Sequence, residues 1–347
     1  MSMTDSATIW LSDAEITHSA GASLANTIYR VPLTITITGE LGAGKTTFLQ
    51  GFAQNLGIKE HITSPTYALE QRYETKRYGE LLHLDLYRLS EDQAHEVVMT
   101  SEQHEGIRCI EWGNRMKDLT EQSDIHIHIE EDETDPKHAR TLTITYRDVA
   151  LPSSEQVQNW RDEVHLPVNV REHCDTVAKA CEKLSELLLK RGTLLRPTTL
   201  VRTGELHDLL RFIDFDKGMQ HPPHQSNEED EQVWEQWLQK FPDNTHEEAV
   251  TTFLKDEGFL DLASIIEMHG LNLENAQEMT IEQKLLFYAD KRVVFDQVVT
   301  VDERFSDFSK RYANGQITEF GKKWHQNTIQ LEEELFPDGA PDSSELY

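Results

Sequence analysis

Residues 33–46 read Leu33-Thr34-Ile35-Thr36-Ile37-Thr38-Gly39-Glu40-Leu41-Gly42-Ala43-Gly44-Lys45-Thr46, and this stretch decides the fold of the N-terminal half. Its first six residues are leucine or β-branched, which suits a strand. From Thr46 to Leu56 the apolar residues Phe48, Leu49, Phe52 and Leu56 recur at helical spacing. A strand, a GxxxxGKT loop and a helix in that order make a phosphate-binding P-loop. Gly39, Gly42 and Gly44 let the backbone curl so that its N–H groups face phosphate oxygens, and the helix that follows adds its positive dipole end. The expected nucleotide-binding segment is therefore Gly39, Glu40, Leu41, Gly42, Ala43, Gly44, Lys45, Thr46 and Thr47. Lys45 would reach the β- and γ-phosphates of ATP or GTP, and the Thr46 hydroxyl would hold Mg²⁺.

Working outward, residues 81–85 and 107–111 read as two further strands, ending on Asp85 and Glu111. In an open parallel sheet the C-terminal strand ends border the crevice that also holds the P-loop. Asp85 and Glu111 are thus candidates for holding Mg²⁺ or orienting water. Ile125-His126-Ile127-His128-Ile129 alternates strictly, and after an acidic turn so does Leu142-Thr143-Ile144-Thr145-Tyr146, the mark of a hairpin. Residues 1–150 are expected to form a three-layer α/β domain with a mostly parallel sheet.

Residues 151–164 are polar after Pro152-Ser153-Ser154 and suit a linker. From Val168 onward helical periodicity takes over. Val177, Ala178, Cys181, Leu184, Leu187 and Leu188 share one apolar face. Further helices are expected at 198–212, 233–240, 246–255, 260–269 and 281–298, within an all-α domain over 165–334. Residues 216–231 suit an exposed loop that includes His221 and His224, and 335–347 suit a disordered tail.

With 62 acidic against 33 basic residues, the net charge is -29. Such a chain is repelled by a nucleic-acid backbone, so a partner would supply most of any contact with RNA. Three cysteines, none in a CxxC pair, argue against a disulfide framework or a cysteine zinc site. Neither a signal peptide nor a membrane span is visible. A reduced cytoplasmic setting with no membrane partner is expected.

The helical half holds His173, the adjacent pair His207-Asp208, His246, His269 and Asp290. Each falls on or at the end of a different expected helix, the pair excepted. Imidazoles and carboxylates together suit divalent Mn, Fe, Zn, Ni or Co. An Asp beside a His can bridge two ions, and two ions about 4 Å apart can activate water against a phosphoester.

Four segments of the N-terminal half together resemble the bacterial TsaE proteins, the ATPase component of tRNA threonylcarbamoyladenosine synthesis. They are Gly39–Phe48, Ser64-Pro65-Thr66-Tyr67, His83-Leu84-Asp85-Leu86-Tyr87-Arg88-Leu89 and Ile110-Glu111-Trp112. Tyr67 stands where that family usually has Phe. The resemblance implies that Thr66 lies in a switch-like segment near the γ-phosphate and that Trp112 packs near the nucleotide. It gives Lys45, Asp85 and Glu111 catalytic roles, with Thr46, Asp85 and Glu111 serving Mg²⁺. It also implies partner subunits that carry out the transfer, with tRNA contacted indirectly.

The segments around His173, His207-Asp208, His246 through His269, and Tyr288-Ala289-Asp290-Lys291-Arg292-Val293 resemble the HD-domain phosphohydrolases. That resemblance implies a metal site of His173, His207, Asp208 and Asp290, with His246 and His269 as the extra ligands of two-metal members. His207 and Asp208 would be its catalytic centre, acting on a phosphorylated small molecule that Lys291 or Arg292 could meet.

Two rivals share these features. A small-molecule kinase would use the same P-loop, but no arginine-rich lid follows it. Alternatively, the helical half would be a metal-stabilised interaction module without turnover.

Overall fold

The computed structural model describes residues 4–135, 137–215, 226–270, 278–312 and 318–347. The chain divides into an N-terminal unit, Thr4–Asp148 with Glu186–Arg196, and a C-terminal unit, Val149–Ser185 with Pro197–Tyr347. His221 and His224 lie outside the described residues, as does most of the loop expected around them.

The N-terminal unit is built on seven strands: β1 (Asp5–Leu11), β2 (Leu33–Thr38), β3 (Glu70–Glu74), β4 (Glu80–Asp85), β5 (Ile107–Glu111), β6 (Ile125–Glu131) and β7 (Arg140–Tyr146). They form one sheet in the order β1-β7-β6-β2-β5-β4-β3. The central strands β6, β2, β5 and β4 run parallel. The antiparallel pairs lie outside them, including the β6–β7 hairpin read from alternation. Alternation in β4 and β5 sends Leu81, Ile107 and Cys109 to one apolar core and Leu82, Leu84 and Ile110 to another. Helices cover both faces, as a parallel sheet requires.

Two helices, α1 (Ala14–Leu24) and α2 (Lys45–Asn55), pack closely through glycines. A Cβ on Gly21 would lie 1.9 Å from the Phe48 carbonyl oxygen, and one on Gly51 would lie 1.8 Å from that of His18. Only glycine allows this crossing, and it fixes the helix that carries Lys45 and Thr46. Two further helices, α3 (Glu91–Thr100) and α4 (Leu119–Gln122), complete the unit. Neither β1 nor β3 was legible in the sequence: β1 alternates only weakly through small and polar residues, and β3 is a short, largely charged edge strand.

The C-terminal unit contains α5 (Ser154–Glu163), α6 (Val168–Lys190), α7 (Pro197–Leu206), α8 (Glu228–Lys240), α9 (His246–Asp256), α10 (Leu260–Glu267), α11 (Ile281–Asp290), α12 (Val301–Tyr312) and α13 (Glu319–Leu335), plus a small hairpin of β8 (Val293–Val294) and β9 (Gln297–Val298). Four sequence expectations need correction.

Residues 151–164 are not a plain linker. Ser153 caps α5, and its Val157 and Trp160 are buried. The last residues of α6 and the loop to Arg196 group with the N-terminal unit, where buried Arg196 pairs with Asp148 at 2.5 Å. The helix expected over 281–298 stops at Asp290. Beyond it the β-branched run Val293, Val294, Val298 and Val299 turns back on itself, so the domain is not purely helical.

The fourth correction concerns the tail. Phe336 and Leu346 are buried, and a 3₁₀ turn spans Ser343–Leu346. Arg292 is the anchor. It is 1% exposed and donates to the Val299 carbonyl at 2.6 Å, the Tyr288 hydroxyl at 2.5 Å and the Pro341 carbonyl at 3.0 Å. Its guanidinium is thus engaged with the hairpin, α11 and the tail. Replacing Arg292 with Met should strand those acceptors and lower stability by about 3 kcal/mol. The measurement is the urea midpoint, and an unchanged midpoint would remove Arg292 from this role.

Candidate functional site

In the N-terminal unit β2 ends at Thr38 and the chain enters the loop with φ of 143° at Gly39, 85° at Gly42 and 106° at Gly44. These left-handed values are open to glycine and costly to other residues. The loop closes on α2, whose first residue is Lys45. Leu41 stands 73% exposed at the loop tip. Thr47 follows in the first turn of α2.

Lys45 is buried, and its Nζ donates to the carbonyls of Gly39 at 2.8 Å and Glu40 at 2.9 Å. Trp112 covers it, with its ring centroid 3.9 Å from Nζ. Burial lowers the Lys45 pKa, and Glu111, Asp85 and Glu40 work against that fall. The Thr46 hydroxyl lies 3.5 Å from Glu111 Oε1.

Asp85 and Glu111 pair in register at the ends of β4 and β5. Both are 2% exposed. Asp85 Oδ2 accepts from Ser64 and Thr66, each at 2.6 Å, and Oδ1 accepts from the Tyr87 backbone at 2.9 Å. Thr66 is therefore tied to an acid of the site. Tyr67 beside it is 86% exposed, with Arg88 4.1 Å over its ring.

Trp112 takes φ of 61° and donates its backbone N–H to Ile37 at 2.8 Å, which turns its ring onto Lys45 and Tyr87. His83, given no role from sequence, is fully buried, and its Nε2 lies 2.9 Å from Glu111 Oε1. Its position two residues before Asp85, on the same strand face, was the available signal.

The C-terminal unit brings all six expected residues together. His173 comes from α6, His207 and Asp208 follow α7, His246 opens α9, His269 follows α10 and Asp290 ends α11. Ring centroids of His173 and His207 are 5.4 Å apart, those of His207 and His269 5.1 Å, and those of His246 and His269 5.6 Å. Ligand atoms of His173, His207 and Asp208 all lie within 4.8 Å of one another, and so do those of Asp208, His246 and His269. Asp208 belongs to both groups.

The imidazoles share an orientation. Nδ1 of His173 meets the Phe295 carbonyl at 2.9 Å, that of His207 the Gly204 carbonyl at 2.9 Å, and that of His269 the Ile266 carbonyl at 2.5 Å. A carbonyl only accepts, so each Nδ1 carries the hydrogen and each Nε2 points into the cluster. Nε2 of His173 lies 3.1 Å from Asp290 Oδ1. Nε2 of His207 is buried without a hydrogen-bond partner, 3.8 Å from Asp208 and 3.9 Å from Asp290. Nε2 of His269 lies 3.8 Å from Asp208.

Burial pushes the His207 pKa down to about 4, so it is neutral near pH 7. Burial opposes the ionised form of Asp208 and Asp290, but the cations Arg211 beside the first and Lys291 and Arg304 beside the second hold both well below the usual carboxylate range.

His246 differs from the other imidazoles. Its Nε2 faces Asp208 at 3.0 Å, and its Nδ1 faces Asp214 at 2.5 Å and Glu247 at 3.1 Å. Sequence reasoning missed these two acids, and Arg211, whose Nη1 lies 2.9 Å from His246 Nε2. It also missed Arg304, 3.6 Å from Asp290. All are charged residues, Arg211 and Asp214 in a 3₁₀ turn after α7, Glu247 on α9 and Arg304 on α12, where a solvated surface role is the usual reading. Lys291 bonds Asp290 at 2.5 Å and the His269 carbonyl at 3.1 Å, so it forms a wall of the cluster.

The loop, the helix dipole and the two strand-end acids define the N-terminal unit as a P-loop nucleotide-binding domain. The family model for threonylcarbamoyl adenosine biosynthesis protein TsaE matches residues 11–142. The tRNA threonylcarbamoyladenosine biosynthesis protein TsaE of Nostoc sp. is 40% identical over 113 residues, which covers 31% of this chain and 68% of that protein. The protein of the same name from Bacillus subtilis is 35% identical over 96 residues, covering 27% and 60%. The crystal structure of YdiB from the same species aligns with a TM-score of 0.33 and 26% identity, over 42% of this chain and 88% of that one. Through its N-terminal unit the chain belongs to the TsaE family. It spans 68% of the length of the first of these curated relatives and 60% of the second. No described helix is long and apolar enough to cross a membrane.

Proposed function

We propose that the N-terminal unit binds Mg²⁺-ATP and hydrolyses it in support of tRNA threonylcarbamoyladenosine formation, together with the partner subunits that perform the transfer and meet the tRNA. The observation that carries this is the convergence of Thr46, Asp85 and Glu111 at the mouth of the glycine loop. A hydroxyl and two buried carboxylates are a hard oxygen set that suits Mg²⁺. When bound, Mg²⁺ offsets charge on the phosphates. Thr46 would be its direct ligand, with Glu111 and Asp85 holding its waters or the attacking water. Lys45 would exchange the Gly39 and Glu40 carbonyls for phosphate oxygens. His83 holds Glu111 in place, and Ser64 and Thr66 hold Asp85, so the acids are set before nucleotide arrives.

The fate of the γ-phosphate tests this reading against a small-molecule kinase. With γ-labelled ATP, label should appear as inorganic phosphate whatever hydroxyl compound is added. Transfer to an acceptor without release would overturn it.

We infer that the C-terminal unit is an HD-type, metal-dependent phosphohydrolase acting on a nucleotide or other phosphoester. Three Nε2 lone pairs facing two ionised, buried carboxylates would repel them without a cation between. The orphaned Nε2 of His207 fits that need, and the donor set suits Mn, Fe, Zn, Ni or Co. His173, His207 and Asp290 with Asp208 would hold one ion, and His246 and His269 with Asp208 a second. Bound there, such ions lower the pKa of water and offset charge on phosphoester oxygens. Asp214 and Glu247 orient His246. A panel of phosphoesters assayed with each metal tests this against an interaction module. Steady turnover supports the hydrolase, and metal binding without turnover of any ester supports the module.

A further inference from the structure

The hairpin β8–β9 pairs Val293 with Val298 and Val294 with Gln297, leaving Phe295 and Asp296 as a two-residue turn. The first central position of such a turn often needs positive φ and favours Gly, Asn or Asp. Here a phenylalanine occupies it with φ of 56°. A bulky residue there is strained, and strain persists where surrounding structure holds it and tends to mark functional sites.

Three braces hold this turn. Arg292 binds the Val299 carbonyl at 2.6 Å. The C-terminal Tyr347 hydroxyl accepts from the Val298 backbone at 3.1 Å and donates to Gln297 at 3.0 Å. Arg311, paired with Asp307, sits 5.1 Å from the Phe295 ring. The ring itself is 42% exposed, so burying it is not what the turn achieves. What the turn does deliver is the Phe295 carbonyl, 2.9 Å from His173 Nδ1.

His207 and His269 find their Nδ1 acceptors three residues earlier in their own chain. Such local contacts come with the helix. The acceptor of His173 lies 122 residues away and exists only because the hairpin folds back. We propose that the strained Phe295 turn is a positioning device that fixes His173 in the Nδ1–H tautomer, so that its Nε2 is presented to the cluster of candidate ligands. Orienting contacts of this kind change metal affinity by about 10–100-fold. The purpose of the device rests on the metal reading above; the device itself does not.

The test compares Phe295→Gly with Phe295→Val in the full chain. Both remove the ring. Glycine accepts positive φ, whereas a β-branched residue resists it. In metal-free protein at alkaline pH, where doubly protonated imidazole is suppressed, ¹⁵N NMR of the histidine rings should show His173 as the Nδ1–H tautomer in wild type and Phe295→Gly, and a mixture in Phe295→Val. Calorimetric titration with Mn²⁺ should give wild-type affinity for Phe295→Gly and at least tenfold weaker binding for Phe295→Val. If the tautomer and affinity follow loss of the ring, or are the same in all three proteins, the proposal is overturned. If the tautomer behaves as expected and wild type binds no divalent transition metal, the positioning stands and the metal reading falls.

Discussion

Purified Asp208→Ala protein is expected to lose most of the roughly two divalent ions per chain that a dinuclear site would hold. Among the described residues, Asp208 is the one shared by the group with His173 and His207 and the group with His246 and His269, while His246 also belongs to a third group with Asp214 and Glu247. After its removal the second group keeps only imidazoles and the first keeps His173 and His207 beside Asp290, and His246 Nε2 loses its contact at 3.0 Å. Removing one partner of a buried charged set leaves the other charges uncompensated and costs about 3–5 kcal/mol, so the alanine variant could fail by unfolding. Asp208→Asn separates the two causes. It keeps the shape and an acceptor oxygen, yet removes the charge that lets one carboxylate serve two ions. Elemental analysis of wild type beside both variants reads the result. Metal retained at wild-type level in a folded Asp208→Asn protein would mean that Asp208 does not bridge, and the two-ion reading would have to be given up.

Lys45→Ala should lower ATP turnover by on the order of a hundredfold or more, because it removes the cation aimed at charge developing on the transferred phosphoryl group. The fold should survive. Among the described residues the ammonium hydrogen-bonds to two loop carbonyls and faces a ring, and a water can take over the carbonyls of Gly39 and Glu40. Phosphate release from ATP measures the first effect and the thermal midpoint the second. Asp85→Asn provides an independent check. It preserves an acceptor for Ser64 and Thr66 but removes charge, so turnover should again fall while stability changes little. Near-wild-type turnover in Lys45→Ala would place hydrolysis outside this loop.

The two halves were legible to different degrees. The P-loop could be read because its chemistry is local. Positive φ at Gly39, Gly42 and Gly44, the lysine and the threonine all lie within eight consecutive residues, and the strand and helix on either side carry their own periodicity. Asp85 and Glu111 were readable because strands end in register when their sheet is parallel. The six residues of the helical half could be picked out by type and spacing.

Tertiary structure decided the rest. His83 became a partner of Glu111 only when β4 lay beside β5. Arg211 and Asp214, in the 3₁₀ turn after α7, and Glu247, in the first turn of α9, look like solvated charges and acquire meaning only where those two segments meet. The tail from Pro337 to Tyr347 is polar enough to read as disordered, yet Arg292 donates to the Pro341 carbonyl and the hairpin backbone at Val298 donates to the Tyr347 hydroxyl.

The sequence by itself determined that a phosphate-binding loop with two strand-end acids precedes a helical half rich in imidazoles and carboxylates. Periodicity and local backbone chemistry are properties of neighbours in the chain, and they survive without knowledge of the fold. Only the tertiary structure decided which Nδ1 each imidazole spends on a carbonyl, which carboxylate is shared and where the chain divides. Those outcomes depend on contacts between residues up to more than a hundred positions apart, such as His173 with Phe295, for which no local pattern exists.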